Sequence, residues 1–144
     1  MLRTFFKSDV PHVLRIEQMV NVVPWTEETF MQCFRAGYVG WVMEVDKKVI
    51  GFIIIAMQGQ ECHILNVGVA RDHQRQGIGR TLLEQVLSHA KKEGISIAYL
   101  EVRRSNSKAI SLYRNMSFRP VGERKDYYPT VAGHEDALVF AKSL

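Results

Sequence analysis

The stretch LNVGVARDHQRQGIGR, residues 65–80, decides the fold of this chain. It begins as a strand rich in valine, passes through a polar loop and enters a helix at a pair of glycines. Gly77 and Gly79 let a bulky anion approach the backbone, because neither residue carries a Cβ atom. The first amides of a helix have no internal partners and lie at the positive end of the helix dipole. The stretch therefore predicts a pyrophosphate-binding site at the start of a helix.

Two common phosphate-binding patterns do not fit this stretch. The spacing from Gln74 to Gly77 and Gly79 differs from G-x-G-x-x-G, and the stretch lies in the middle of the chain, after three strands with short connections. The Gly-Lys-Ser/Thr sequence of nucleotide-binding P-loops is also missing. Arginine side chains at positions 71, 75 and 80 add positive charge to the loop, and one arginine can donate two parallel hydrogen bonds to a phosphate group.

Apolar periodicity on both sides of this stretch predicts an α/β fold, a mixed and mostly antiparallel sheet flanked by helices. A helix over 78–93 followed by a strand over 97–102 makes a crossover, and crossovers join parallel strands. Further strands are expected at 2–6, 38–45, 49–57, 62–69 and 136–142. Further helices are expected from Ser8 or Asp9, from Thr26, and from Ser105 or Asn106 to about Asn115.

Composition limits the class of protein. The chain has 144 residues, of which 47% are hydrophobic and 24% charged, so we expect one globular domain over residues 1–144 and no disorder. The longest apolar run, Val49–Met57, is half the length of a membrane span. Charged residues near the start argue against a signal peptide, so we expect a cytoplasmic protein with no membrane association.

Charge and cysteine content limit the kinds of ligand that the chain is expected to bind. The formal net charge of +4 fits an anionic ligand, and no run of lysine and arginine suggests a direct nucleic-acid role. Cys33 and Cys62 have no metal-type spacing, and neither do the five histidines, so we expect no metal and two free thiols.

The glycine loop resembles a known signature. Gln74-Arg75-Gln76-Gly77-Ile78-Gly79 is similar to the acetyl-CoA motif R/Q-x-x-G-x-G/A of the GNAT N-acetyltransferases, and the predicted elements resemble theirs over nearly the full chain. The resemblance implies acetyl-CoA as co-substrate, with its pantetheine arm along the preceding strand and its pyrophosphate on the loop. The residues implied to bind it are Val67, Gly68, Val69, Gln74, Arg75, Gln76, Gly77, Ile78, Gly79, Arg80 and, by its side chain, Asn106.

Later motifs resemble one branch of that family. Pro24-Trp25-Thr26, Leu100–Arg103 and Tyr127-Tyr128-Pro129 are similar to the RimI-like bacterial enzymes, which acetylate the N-terminal alanine of a small-subunit ribosomal protein. This resemblance implies a ribosomal protein N-terminus as partner. One departure is Ser117, where relatives usually place glycine in a helix-ending turn, so a serine must adopt the conformation that glycine adopts easily.

The resemblance also suggests residues for the peptide groove. Trp25, Tyr127, Tyr128 and Glu135 are the candidates for binding the acceptor peptide. Each also fits a role in packing or in anchoring a loop.

Two residues are candidates for the proton transfers that acetyl transfer to an amine requires. Glu101 is the one carboxylate in the apolar run Ala98–Val102, and it fits a general base or a charged strand end paired with Arg103. Tyr113 fits a core aromatic or, as in the family, the acid that protonates the departing CoA sulfur. A phenol with a pKa near ~10 suits a thiolate near ~8.5, and its ionisation predicts an alkaline fall in rate.

Three other functions are compatible with these observations. The chain could acetylate a lysine side chain, a polyamine or another small amine. It could be a catalytically silent acetyl-CoA sensor, although the presence of both Glu101 and Tyr113 argues against this. It could be a ribosome- or RNA-binding module, although it lacks the aromatic strand that such modules use.

Overall fold

The computed structural model describes residues 1–144 and contains one seven-stranded sheet with helices on both faces. The strands are β1 (Leu2–Thr4), β2 (Val39–Val45), β3 (Lys48–Gln58), β4 (Glu61–Val69), β5 (Ile97–Arg103), β6 (Arg119–Pro129) and β7 (His134–Ser143). The helices are α1 (Val10–Val20), α2 (Glu27–Arg35), α3 (Ile78–Lys92) and α4 (Ser107–Asn115). None of these helices is both long and apolar enough to cross a membrane.

The strands run in the order β1-β2-β3-β4-β5-β7-β6. Every neighbouring pair is antiparallel except β4 and β5, which are parallel and joined through α3. The predicted mixed, mostly antiparallel α/β fold and its single crossover are thus confirmed.

Alternating side chains of the central strand build a core on each face of the sheet. Phe52 and Ile54 pack with the apolar sides of α1 and α2, whereas Ile53 and Ile55 pack with those of α3 and α4. Strand β3 is buried on both faces because both carry helices, which explains its continuous apolar sequence.

The start of α1 differs from the expectation that Ser8 or Asp9 caps it. No side chain caps this helix. The Asp9 carboxylate instead accepts the backbone N–H of Phe6 at 2.8 Å and pairs with the Arg3 guanidinium at 2.8 Å. Asp9 thereby ties β1 to the entry of α1, and the hydrogen bonds from Arg3 help to hold the pKa of its carboxyl below the ordinary value.

Strand β6 was not predicted from the sequence. Ten of its eleven residues are exposed, so it shows no apolar alternation that could have identified it. It pairs with β7 at one edge of the sheet, with register shifts after Pro120 and after Arg124. At the second shift three residues, 125–127, face Asp136 alone, and Asp126 has a φ of 50°. Such a bulge bends the strand and redirects the side chains that follow it.

Ser117 adopts the left-handed conformation that the sequence required of it. Its φ is 71°, and it follows α4 in a turn closed by two hydrogen bonds, from its own N–H to the Arg114 carbonyl and from the Phe118 N–H to the Tyr113 carbonyl. This is the arrangement that glycine usually completes.

We expect Ser117→Gly to raise the free energy of unfolding by about 0.5–1 kcal/mol, because glycine adopts this φ without a Cβ clash. Urea denaturation measures the change. Ser111→Gly, inside α4, is the matched control and should lower stability by a similar amount. A Ser117→Gly variant no more stable than wild type would show that the serine is unstrained.

Candidate active site

The centre of the sheet contains a gap between its two parallel strands. Strand β4 pairs with β5 only from Glu61 to Ile64, opposite Ile97 to Leu100. Just beyond, Leu65 forms a bulge, since Ile64 and Asn66 face consecutive residues of β3. The strands then separate around a cavity of about 140 Å³. It is lined by Asn21, Trp25, Ile64, Leu65, Asn66, Val67, Leu100, Glu101, Val102, Arg103, Asn106, Tyr113 and Tyr128.

Glu101 and Tyr113 approach this cavity from opposite faces of the sheet. Leu100 and Val102 pack into the core with α3 and α4, so Glu101 between them lies on the face of α1 and α2. Tyr113 belongs to α4 and packs with the opposite core. The cavity therefore has a carboxylate on one side of the sheet and a phenol on the other.

The Glu101 carboxylate is partly paired. Its Oε1 lies 3.4 Å from Nε of Arg124, on β6, whereas its Oε2 is buried and has no hydrogen-bond partner. A buried carboxylate oxygen without a donor is unfavourable unless a ligand or water completes it. The site thus holds an acceptor ready for an N–H donor.

The phenol of Tyr113 stays protonated over a wide pH range. Its side chain is 6% exposed, lines the cavity and makes no hydrogen bond within the chain. Burial raises the pKa of Tyr113 to about 12, because the phenolate would be poorly solvated there. The group can donate a proton at any physiological pH.

The start of α3 forms an open cradle. Its N-cap is Gly77, with a φ of 77°, and no side chain caps the helix, so the amides of residues 78–80 lack partners. A Cβ atom added at Gly77 would meet nothing of the protein within 4 Å, so the space beside this glycine is open. Gln74 closes the loop by donating from Nε2 to the Val69 carbonyl at 3.0 Å. These features fit a pyrophosphate.

The strand before the cradle has a free edge. Val67 and Val69 lie beyond the last residues of β4 that pair with β5, so their backbone on that side is available to an extended ligand. Gly68 has a packing reason for its identity, because a Cβ there would lie 2.7 Å from the Phe52 ring. Gly79 lies against Leu112 of α4, 3.5 Å from where its Cβ would be.

The loop arginines differ in their surroundings. Arg75 is exposed, with a φ of 65°, and Arg80 lies 3.9 Å from Glu84 one helical turn on. Arg71, expected to add charge to the loop, instead donates to the Met19 carbonyl at the end of α1. Arg71 therefore links the turn before α3 to the end of α1, which packs on the opposite face of the sheet.

The four groove candidates fall into two pairs. Trp25 and Tyr128 line the cavity, whereas Tyr127 and Glu135 do not. The Glu135 carboxylate accepts hydrogen bonds from Arg103 and from the backbone and hydroxyl of Ser105. Its contacts are those of a residue that anchors a loop.

Two cation–aromatic contacts lie beside the bulge in β6. The Arg103 guanidinium lies 4.7 Å from the centre of the Tyr128 ring, and Arg124 lies 5.1 Å from that of Tyr127. Burial is the main cause that raises the pKa of both tyrosines, and the Glu101 charge adds to it. Sequence reasoning missed Arg124, since nothing local indicates that a side chain of this exposed strand reaches Glu101 on β5.

Asn106 lies at the cavity, whereas the two cysteines lie away from it. The Asn106 side chain lines the cavity and caps α4 by accepting the Ala109 N–H at 3.2 Å. Cys33 and Cys62 are buried free thiols outside the cavity, and burial raises the pKa of Cys62 to about 11. No three histidine, cysteine, aspartate or glutamate side chains come together as a metal site would require.

Comparison with known proteins gives a consistent result. The sequence model of the acetyltransferase (GNAT) family matches residues 9–118. The [ribosomal protein bS18]-alanine N-acetyltransferase of Escherichia coli K12 is 37% identical over 134 residues, which cover 93% of this chain and 90% of that protein. The enzyme of the same description from Haemophilus ducreyi is 32% identical, with 98% of each chain covered.

Solved structures agree with these sequence matches. The crystal structure of the ribosomal-protein-S18-alanine N-acetyltransferase from Escherichia coli superposes with a TM-score of 0.94, at 35% identity, covering 99% of this chain and 92% of that one. Arabidopsis thaliana NAA60 in complex with a bisubstrate analogue shares the fold, with a TM-score of 0.88 at 23% identity, covering 99% and 97% of the two chains. With the glycine cradle and the divided sheet, these matches show that the chain belongs to the GNAT family of acetyltransferases.

Proposed function

We propose that this protein transfers an acetyl group from acetyl-CoA to the N-terminal α-amine of alanine in a small-subunit ribosomal protein, as the bS18-specific relatives do. The observation that carries the mechanism is the cavity through the sheet, with Glu101 on one face and Tyr113 on the other. Through such a cavity, acetyl-CoA and the acceptor amine can approach each other from opposite faces of the sheet. The reaction is therefore a direct transfer.

Acetyl-CoA binds on the side of α3. The amides of residues 78–80 hold its pyrophosphate, with Arg75 and Arg80 supplying positive charge. The free edge of Val67–Val69 pairs with the pantetheine arm as an added strand. This places the thioester at the cavity, beside Tyr113 and Asn106.

The acceptor amine approaches from the side of α1 and α2. Glu101 takes its proton, either directly or through a water molecule, as the amine attacks the thioester carbonyl. An α-amine has a pKa near ~7.7–8.0 and a lysine amine near ~10.4, so a neutral N-terminus costs about 3 kcal/mol less at pH 7. A carboxylate is a modest base, and it suits the N-terminal substrate better.

Tyr113 gives its proton to the thiolate as CoA leaves. The sulfur takes the Tyr113 proton as the C–S bond breaks, and a proton from solvent then restores the phenol for the next cycle. The buried ring is held in place by Phe118 and Phe140. The cysteines lie outside the cavity, so the acetyl group has no protein thiol to form an intermediate with. A ribosomal protein as substrate supports a cytoplasmic location for the enzyme.

A bulky residue at position 77 should obstruct the cradle. We expect Gly77→Leu to raise the KM for acetyl-CoA at least about tenfold, because its side chain occupies the pyrophosphate space. Gly94→Leu is the matched control, since Gly94 follows the other end of α3 with a φ of 82° and the same open surroundings. An equal change in KM for the two variants would contradict the assignment of the cradle.

The two candidate catalysts should affect turnover. We expect Glu101→Gln and Tyr113→Phe each to lower kcat by about 10²–10⁴-fold while acetyl-CoA affinity stays within a few fold, as general acid–base groups do. Tyr99→Phe, on β5 outside the cavity, is the control. A Tyr113→Phe variant with normal turnover and lower thermal stability would leave Tyr113 as a core aromatic only.

The pH profile follows from the same groups. The wild-type kcat/KM should rise as the amine loses its proton near pH ~8 and then stay level to at least pH 10. An ordinary phenol would make kcat/KM fall near pH ~10, but here the fall moves to higher pH. The reason is that burial raises the pKa of Tyr113 to about 12 and keeps the phenol protonated. A fall centred on pH 10 would contradict this role for the buried phenol.

Substrate choice separates this proposal from acetylation of lysine or a polyamine. A peptide that begins with alanine and contains an internal lysine should be acetylated on the α-amine. The same peptide with a blocked N-terminus should react at least about a hundredfold more slowly, given the difference in amine pKa. Mass spectrometry locates the label. A label found mainly on lysine would favour the alternative function.

A further inference from the structure

A second carboxylate lies buried behind the acceptor side of the cavity. Glu17, on α1, has no solvent-exposed surface. It forms no ion pair with any lysine, arginine or histidine. The other buried acid of the chain, Asp9, differs because Arg3 neutralises it.

The Glu17 carboxylate holds the loop between α1 and α2. Its Oε2 accepts the backbone N–H of Trp25 at 2.8 Å and the side-chain amide of Asn21 at 3.1 Å. Its Oε1 is buried and has no partner. Both Trp25 and Asn21 line the cavity, so this one oxygen anchors the whole part of the loop that faces the acceptor.

The loop has little else to fix its shape. The backbone of residues 22–24 makes no hydrogen bond within the chain. Val22 and Val23 are 59% and 44% exposed, so they contribute little packing. Without Glu17, the Trp25 N–H would lose its partner and the Trp25 ring would be held mainly by its contact with Phe30.

Stability does not account for a carboxylate at this position. Burying a charge without a counter-ion is unfavourable, and well-packed apolar side chains often stabilise a fold when they replace buried charges. Residues that cost stability are commonly kept because a site needs them.

We propose that Glu17 is a positioning residue for acceptor binding: its carboxylate sets the position of Trp25 and Asn21, and so shapes the wall against which the acceptor peptide lies. This rests on the proposed function in one respect, that the acceptor enters from the side of α1 and α2. Glu17 acts on the acceptor through the loop, and the acetyl-CoA side of the sheet does not depend on it.

The test compares substitutions of the two buried acids. Glu17→Met removes the hydrogen-bond acceptor and keeps the length of the side chain, and Glu17→Gln keeps an acceptor oxygen. Asp9→Asn is the matched control, because Asp9 lies at the other end of α1 and bonds to Arg3 and Phe6, which do not line the cavity. Steady-state kinetics with an alanine-initiated peptide give both KM values and kcat, and thermal denaturation gives stability.

We expect Glu17→Met to raise the KM for the peptide about tenfold or more. The reason is that the Trp25 N–H loses its acceptor, and the loop between α1 and α2 moves to give it another. The KM for acetyl-CoA and kcat at saturating peptide should stay within about threefold. Glu17→Gln should keep the peptide KM within about threefold of wild type. Asp9→Asn should lower the melting temperature and leave both KM values unchanged.

Three results would overturn the proposal. The first is an unchanged peptide KM in Glu17→Met. The second is an equal rise in the peptide KM in Asp9→Asn, and the third is a rise in Glu17→Gln as large as that in Glu17→Met. Failure of the proposed function is a separate result, because wild type would then label lysine rather than the α-amine. The KM of the variants for that lysine acceptor would test Glu17 in the same way.

Discussion

The separation of β4 and β5 beyond Ile64 and Leu100 is the constraint on which the rest of the molecule depends. Parallel strands joined through a helix normally pair along their length, and their unpaired backbone groups are costly when buried. Here the bulge at Leu65 ends the pairing in the middle of the sheet. The sheet is left with an internal edge that an extended substrate can complete, and both faces gain access to one point.

The gap also determines which side chains can take part in chemistry. A strand directs successive residues to opposite faces, so Glu101 belongs to the face of α1 and α2 while its neighbours build the core with α3 and α4. Tyr113 reaches the gap from that second core. The proposed acid, Tyr113, and the proposed base, Glu101, therefore lie in different environments: Tyr113 in a buried aromatic cluster and Glu101 beside the Arg124 cation.

The sequence predicted the parts of the fold whose signals are local. The 3.6-residue period of Leu82, Leu83, Val86 and Ala90 identified α3. The change of period from Gly37 onward, with turn residues between the apolar segments, identified strands β2, β3 and β4. The cradle was predicted because its glycines and its helix start are adjacent in the chain. Strand β6 was not, since it lies at an edge and buries no regular face.

The missed site residues share a different cause. Arg124 reaches Glu101 across β7, which lies between their two strands, and this contact depends on the pairing of β6 with β7. Glu17 reads as an ordinary polar residue on an amphipathic helix, and its burial becomes evident only when the following loop folds back over it. Both depend on contacts between segments, which no local pattern encodes.

Strand β6 has a consequence for association between molecules. An edge strand offers a row of free backbone donors and acceptors to any other strand, which makes it a site for aggregation. Along β6, however, prolines remove donors near its start and at its end, two register shifts break the regular spacing, and exposed charges would have to be brought together by any added strand. The residues that interrupt this edge are Arg119, Pro120, Glu123, Arg124, Lys125, Asp126 and Pro129. The strand that supplies Arg124 to Glu101 is therefore, at its outer edge, a poor template for a further strand.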